Sequence, residues 1–180
     1  LAQLPLLIDM DEFISFWAVE TVLGHWDSAT GNANNFYIYH NPTDDLFHFI
    51  PWGTDAAFTG KHSFEPQSGP LYRNLSIASR LYAIDETRSQ YHDKINSLLE
   101  SHWVEQDLLD TIDVLQQLSG TSDEAIASTR LFITGDDNTR SQRALLVSAL
   151  AGQEPEQLES VLPNTLLNCS EEKEFTQLTA

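Results

Sequence analysis

Two short aromatic runs separated by a polar turn constrain the fold of this chain more than any other feature. Residues 36–39 and 46–50 are rich in aromatic and β-branched side chains, so each run predicts a strand. Between them, residues 41–45 read Asn-Pro-Thr-Asp-Asp. This is turn chemistry, because proline presets φ and short polar side chains bond back to the backbone. The sequence therefore predicts a β-hairpin.

Acidic and amide side chains flank the open end of this hairpin. Asp27 and the asparagines Asn32, Asn34 and Asn35 precede the first strand, and Asp55 follows the second. Because a hairpin brings its two flanks together, we expect Asp27, Asn35 and Asp55 to share one end of it. Two carboxylates and an amide can hold a divalent cation and orient a hydroxyl, as phosphoryl transfer requires. The structural alternative is that Asp27 is a helix cap or loop residue and the asparagines form turns.

Helical patterns surround the hairpin. Asp9-Met10-Asp11 predicts the start of a helix whose broad apolar face ends at Gly24. The loop over 59–70 has no periodicity. Beyond it, segments with apolar residues at helical spacing predict helices over 71–82, 85–99, about 104–118, 125–132 and 144–150.

The predicted fold class is therefore α+β and mostly helical, with the hairpin segment packed on a helical subdomain. We expect one unit over 1–153, formed by a catalytic segment, 9–60, and a helical subdomain, 70–153. Residues 154–180 are polar and Glu-rich, which is typical of a loosely ordered or truncated end.

The remaining histidines and tryptophans favour structural roles. We expect His25 to brace the backbone of its loop, and His40 and His48 to face solvent at the turn end of the hairpin. Trp17, Trp26 and Trp52 are expected to be core or loop-anchoring residues rather than a ligand platform.

The residues around Asp27 also resemble a known family. His25-x-Asp27-x-x-x-x-Asn32 has the spacing of a protein-kinase catalytic loop. The larger block, WDSATGNANNFYIYHNP followed by FHFIPWGTDAAF, resembles the CotH family of atypical secretory-type kinases, named after a spore-coat protein. The resemblance covers roughly the first two-thirds of the chain, and its fold would be that of a protein-kinase C-lobe.

The resemblance implies a role for each site residue. Asp27 would be the catalytic aspartate that orients or deprotonates the acceptor hydroxyl. Asp55 would bind the Mg²⁺ or Mn²⁺ that bridges the phosphates of ATP. Asn35 is the favoured amide ligand because it directly precedes the strand, and Asn32 stays a candidate because it has the kinase spacing from Asp27.

The chain departs from the family pattern at two places. Gly53 stands where the resemblance implies an acidic residue, so either Asp55 acts as the metal ligand instead, helped by the flexible Gly53, or metal binding is impaired; the first alternative is favoured. No glycine-rich loop or lysine-bearing strand precedes the catalytic segment, and Lys61 is the only lysine before position 94. We therefore expect a fragment that lacks its nucleotide-binding lobe and is inactive by itself.

Composition limits the partners. The formal net charge of −18 disfavours nucleic acid and anionic membranes. It suits a basic protein substrate, although acidic surfaces also simply promote solubility. No run of about 18 apolar residues predicts a membrane span. The single cysteine, Cys169, excludes an internal disulfide.

The sequence thus predicts part of an atypical protein kinase that transfers the γ-phosphoryl of ATP to a protein Ser or Thr. A secreted or surface location is expected in preference to the cytoplasm. The competing hypothesis is a catalytically inactive, kinase-like interaction or adhesion module, which Gly53 and the acidic surface favour. A phosphate-handling hydrolase is a third reading, for which the sequence identifies no positioned water.

Overall fold

The computed structural model describes residues 3–59 and 69–152. Within these ranges the elements follow the predicted order, and the α+β, mostly helical fold class is confirmed. The helices and strands are α1 (Met10–Val22), α2 (Ala29–Asn32), β1 (Phe36–Asn41), β2 (Leu46–Pro51), α3 (Ser76–Tyr82), α4 (Asp85–Ser101), α5 (Glu105–Ser119), α6 (Asp123–Thr134) and α7 (Gln142–Leu150). Single 3-10 turns lie at Leu4–Leu6 and Thr54–Ala56.

Helix α1 forms the centre of the core. Its N-cap is Asp9, whose Oδ1 accepts a hydrogen bond from Glu12 N at 3.0 Å, as the sequence predicts. Trp17 is fully buried and stacks on Tyr91 of α4, with ring centroids 3.8 Å apart. Because α1 also contacts α2, β2 and α7, it connects the hairpin to the helical subdomain.

The hairpin is antiparallel, with a register that runs from Phe36 opposite Pro51 to Asn41 opposite Leu46. The turn is stabilised as its sequence predicts, since Asn41 Oδ1 accepts a hydrogen bond from Thr43 N at 3.1 Å. Phe49 joins the hairpin to α1: its ring lies 4.8 Å from that of Phe13 and 5.8 Å from that of Phe16. The open end of the hairpin therefore has a fixed position relative to α1.

The helical predictions need two corrections. Helix α3 begins at Ser76 and not at Leu71, because residues 71 and 72 form a buried non-helical segment. Trp17 Nε1 donates to Tyr72 O in this segment at 2.5 Å. In α5, the predicted apolar face is wrong over its last turns: Leu115 is exposed, and Leu118 is 80% exposed.

Of the two roles expected for Trp52, core or loop-anchoring, the structure excludes the core, because its side chain is 58% exposed and packs edge-on against Tyr37. His48 differs from the expectation that it faces solvent. The side chain of His48 is only 19% exposed. Its Nδ1 lies 2.7 Å from Glu12 Oε2 and its Nε2 lies 3.1 Å from Asp44 Oδ2.

Because carboxylates only accept hydrogen bonds, both ring nitrogens of His48 must donate. The hydrogen bond to Glu12, and then that to Asp44, raise the pKa of His48. The imidazolium therefore ties the turn end of the hairpin to α1.

Several predictions lie outside the described residues. These are the polar tail, most of the 59–70 loop, Lys61 and Cys169. Among the residues that are described, no helix is both long and apolar enough to cross a membrane.

Candidate active site

Asp27 lies between α1 and α2 at the open end of the hairpin, and three asparagine amides converge on its carboxylate. Asn32 Nδ2 donates to Oδ1 at 2.9 Å, and Asn35 Nδ2 donates to Oδ2 at 2.7 Å. Asn34 Nδ2 lies farther away, at 3.2 and 3.3 Å from the two oxygens. We call these four residues the Asp27 cluster. The structure thus brings Asp27 together with both predicted amide candidates, and Asn34 is an additional member.

The hydrogen bonds hold Asp27 in its ionised form. The bond from Asn32 contributes most to lowering the pKa of Asp27. Burial opposes it as the next largest effect, and Asn34, Asn35 and the charge of His25 each lower the pKa by less. An ionised carboxylate can only accept, so each amide turns its NH₂ toward Asp27. The three amide oxygens are therefore directed away from it. No hydrogen bond to them is found within 3–59 and 69–152.

Unusual backbone conformations place these amides. Ala33 caps α2 in the left-handed region at φ 54°, and Asn35 follows at φ 49°. Asparagine tolerates this region better than most residues because its short polar side chain bonds locally. Asn35 O also accepts a hydrogen bond from Trp52 N at 2.9 Å. Asn35 is therefore fixed both to Asp27 and to the chain that leaves β2.

A second connection joins the two flanks of the hairpin. His25 is buried, and its Nε2 lies 2.9 Å from Gly53 O. Since the carbonyl only accepts, Nε2 must donate. His25 thus braces the loop of Asp27 against the loop after β2, which agrees with the bracing role expected for it.

Gly53 allows the close approach of these loops. Its φ is +59°, and a Cβ built on it would lie 3.0 Å from Asn35 Cγ. A side chain at this position would strain the backbone and would require the Asn35 side chain to shift slightly. Gly53 therefore favours the observed position of Asn35 beside Asp27.

Asp55 lies in the 3-10 turn Thr54–Ala56, two residues after Gly53, and is exposed. Within 3–59 and 69–152, the Asp55 carboxylate forms no hydrogen bond with the Asp27 cluster. The turn that contains Asp55 adjoins the loop of Asp27 through Gly53, which accepts from His25 and lies against Asn35. In the described part of the chain, no three His, Cys, Asp or Glu side chains are grouped to hold a metal ion. The available ligands are instead amide oxygens with one exposed carboxylate. Such an all-oxygen set is compatible with a hard cation such as Mg²⁺.

The buried residues that hold α2 next to the Asp27 cluster were not predicted from the sequence. Glu20 of α1 is buried, and its carboxylate accepts hydrogen bonds from Ala29 N at 3.3 Å, Thr30 N at 3.0 Å and Thr30 Oγ1 at 2.7 Å. Burial raises the pKa of Glu20, and the Thr30 hydrogen bonds oppose this. A signal existed in the sequence, because Glu20 lies on the same helical stripe as Phe13 and Trp17.

The element order, which is a helix, a loop with an aspartate, a hairpin and an acidic turn, resembles that of the catalytic segment of protein kinases. The comparison with known families agrees. The family model described as CotH kinase protein matches residues 2–130, and this chain belongs to that family. No curated protein matches the chain significantly. Membership supports a kinase-like function and, in general terms, a protein substrate, ATP and a divalent metal.

Proposed function

We propose that this chain supplies the catalytic residues of a metal-dependent protein kinase that transfers the γ-phosphoryl of ATP to a Ser or Thr hydroxyl. The observation that carries the proposal is the convergence of Asn32, Asn34 and Asn35 on Asp27, at the open end of the hairpin, in a chain of the CotH kinase family. A basic acceptor segment would complement the net charge of −18.

Asp27 is the residue we assign to the acceptor hydroxyl. Because its pKa is lowered, the carboxylate is a weak base. We therefore assign it mainly to orienting the acceptor hydroxyl and not to early removal of its proton. This suits a loose phosphoryl-transfer transition state, in which catalysis depends on positioning and charge neutralisation. The amide of Asn34 makes the longest hydrogen bonds to Asp27 and is exposed, so the acceptor hydroxyl would displace it most easily.

Asn35 and Asp55 are the residues we assign to the metal, with Asn32 as the alternative amide ligand. The hydrogen bonds to Asp27 direct the oxygens of both amides outward, which supports this assignment. A bound Mg²⁺ or Mn²⁺ would neutralise charge on the transferred phosphoryl group. Asp55 is exposed and has to reach the same space from the adjacent turn.

The alternative function is a kinase-like interaction or adhesion module without catalysis. Two observations favour it. Gly53 occupies the position where the family resemblance implies an acid, and the hairpin exposes large aromatic side chains at Tyr37, Tyr39 and Trp52. Exposed aromatic groups of this size are common at protein interfaces.

Two measurements on the full natural protein that contains this chain separate the alternatives. The first is a thermal-shift titration with ATP, with and without Mg²⁺ or Mn²⁺, for the wild type and Asp55→Asn. A kinase should show a metal-dependent rise in melting temperature that Asp55→Asn loses. The second is phosphorylation of a basic Ser-containing protein by the wild type and Asp27→Asn. We expect Asp27→Asn to lower kcat about 10²-fold to 10⁴-fold while nucleotide binding persists.

Asp137→Asn is the matched control, because Asp137 is an exposed aspartate in the loop between α6 and α7. It should leave both measurements unchanged. Equal phosphorylation rates for the wild type and Asp27→Asn would refute the catalytic assignment. The absence of any nucleotide-dependent shift would make the interaction module the better description.

A further inference from the structure

Helix α2 is a single turn of four residues, and the rest of the molecule holds it at both ends. A helix this short is not stable by itself, because nucleating it costs more free energy than the hydrogen bonds of a single turn provide. Its conformation must therefore be imposed from outside. This matters for the site because α2 separates Asp27 from Asn32, the last residue of the helix.

At its N-terminal end, α2 is held by Glu20. The first amides of a helix have no partner within the helix. Glu20 accepts hydrogen bonds from two of them, Ala29 N and Thr30 N, while Ser28 Oγ accepts one from Gly31 N at 3.0 Å. Glu20 is 3% exposed and Thr30 is fully buried. Burying this carboxylate costs desolvation free energy, which its three donors, Ala29 N, Thr30 N and Thr30 Oγ1, offset in part.

At its C-terminal end, α2 is held by Asn74, which precedes α3. Asn74 N donates to Thr30 O at 2.9 Å, and Asn74 Nδ2 donates to Gly31 O. On a third side, a Cβ built on Gly31 would clash with the carbonyl oxygen of Trp26, next to Asp27. Helix α2 thus contacts α1, the segment before α3 and the loop of Asp27.

We propose that Glu20 is a positioning residue: through Thr30 and the first turn of α2, its carboxylate sets the place of Asn32 against Asp27. The proposal rests on the proposed function for its kinetic consequence. Its structural part, that Glu20 controls the Asn32–Asp27 contact, stands independently. The hydrogen bonds of Glu20 go to Ala29 and Thr30 and not to Asp27 or Asn32, so we assign its effect to α2.

The test compares Glu20→Gln, Thr30→Val and Thr30→Ser in the full natural protein, with Glu100→Gln as the matched control. Glu20→Gln keeps the size of the side chain but places an NH₂ group against N–H and O–H donors. Thr30→Val removes only the hydroxyl that donates to Glu20 at 2.7 Å, whereas Thr30→Ser retains it. Glu100 is an exposed glutamate of α4.

Two readouts are measured for each variant. The first does not depend on activity: NMR gives hydrogen-exchange protection at the Ala29 and Thr30 amides, and the side-chain NH₂ resonances of Asn32. The second is kcat together with the Mg²⁺ concentration that gives half-maximal phosphorylation. A variant that is merely less stable loses active protein, which lowers the rate but leaves the Mg²⁺ requirement and the Asn32 resonances in place.

For Glu20→Gln we expect reduced protection of the amide that faces the new NH₂ group, because the remaining carbonyl oxygen still accepts on its own side. We also expect shifted Asn32 resonances, kcat lowered about 10-fold to 100-fold, and a higher Mg²⁺ requirement. Thr30→Val should change the same quantities by less, and Thr30→Ser should behave like the wild type. Should Glu20→Gln fail to fold, Thr30→Val carries the test. Unchanged Asn32 resonances and an unchanged Mg²⁺ requirement in a folded variant would overturn the proposal.

A wild type without phosphorylation activity would refute the proposed function but not this inference. The NMR readout then decides alone: displaced Asn32 resonances in Glu20→Gln support the positioning role, and undisturbed ones overturn it.

Discussion

The Asp27 cluster differs from the buried polar residues beneath it in how far along the sequence its hydrogen-bond partners lie. We call Thr21, Tyr91 and Gln142 the buried layer. In the cluster, every partner of Asp27 lies five to eight residues away in sequence, and the asparagines are exposed or half-exposed. In the layer below, the partners are distant. Thr21 pairs with Tyr91, 70 residues away, and Gln142 Nε2 donates to Thr21 O across 121 residues.

The Asp27 cluster and the buried layer therefore have different roles. The cluster is formed by local sequence and remains accessible to solvent, as a site for a phosphate or a hydroxyl must be. The layer connects α1 to the elements around it through groups that cannot be satisfied by water. We therefore expect substitutions in the layer to change stability strongly, and substitutions in the cluster to change chemistry with little effect on stability.

The largest expected effect on stability comes from Trp17. Its ring is fully buried against Tyr91, and its Nε1 donates to Tyr72 O. Trp17→Ala should lower the free energy of unfolding by about 3–5 kcal/mol, measured by urea denaturation, because it leaves a cavity in the centre of the core. The matched control is Trp52→Ala, whose ring is mostly exposed and whose loss should cost within about 0.5 kcal/mol. Similar losses for the two tryptophans would contradict the placement of Trp17 in the core and of Trp52 at the surface.

A smaller effect is expected for the hydroxyl pair beneath the site. Thr21 Oγ1 and Tyr91 OH lie 2.7 Å apart and are fully buried. Tyr91→Phe should cost about 1–3 kcal/mol in the free energy of unfolding, because the Thr21 hydroxyl loses this partner without access to water. Tyr39→Phe, at an exposed strand position, is the control and should be nearly neutral.

A double-mutant cycle sharpens this prediction. Thr21→Val combined with Tyr91→Phe removes both hydroxyls, so the double variant should be more stable than the sum of the single losses implies. Strict additivity would mean that the two hydroxyls do not stabilise each other.

The same division explains which features could be predicted from sequence. Features that depend on neighbours along the chain were predicted well: the N-cap at Asp9, the turn after Asn41, the end of α5 at Gly120, and the placement of Asp27 near Asn32 and Asn35. In each of these features, the interacting groups lie close together in the sequence.

Features that depend on distant partners were missed. Helix α2 has no periodicity because it is one turn long, and its conformation depends on Glu20 and Asn74 in addition to its N-cap Ser28. The segment at Leu71 has helical spacing but is non-helical and buried, with Trp17 Nε1 donating to Tyr72 O. The metal role of Asp55 stays a prediction, because its carboxylate makes no contact with the Asp27 cluster among the described residues.

The smallest expected effect is a difference in how two carboxylates respond to pH. The pKa of Asp27 is lowered mainly by the hydrogen bond from Asn32, so its stabilising contribution is present above the ordinary carboxyl pKa of about 4 and is lost as the pH falls through its lower folded value. The pKa of Glu20 is raised by burial. The folded state then binds this proton more tightly than the unfolded state, so the contribution of Glu20 to stability increases as the pH falls through its raised value toward about 4.

Urea denaturation of the wild type, Asp27→Asn and Glu20→Gln across this acidic range measures both responses. The stability advantage of the wild type over Asp27→Asn should shrink on acidification, whereas its stability relative to Glu20→Gln should increase. The opposite signs follow from the surroundings of the two groups: amide donors in contact with solvent favour the ionised form of Asp27, and burial disfavours that of Glu20. Slopes of the same sign would mean that the three donors around Glu20 outweigh its desolvation. Hydrogen bonds would then favour the ionised form of Glu20, as they do for Asp27.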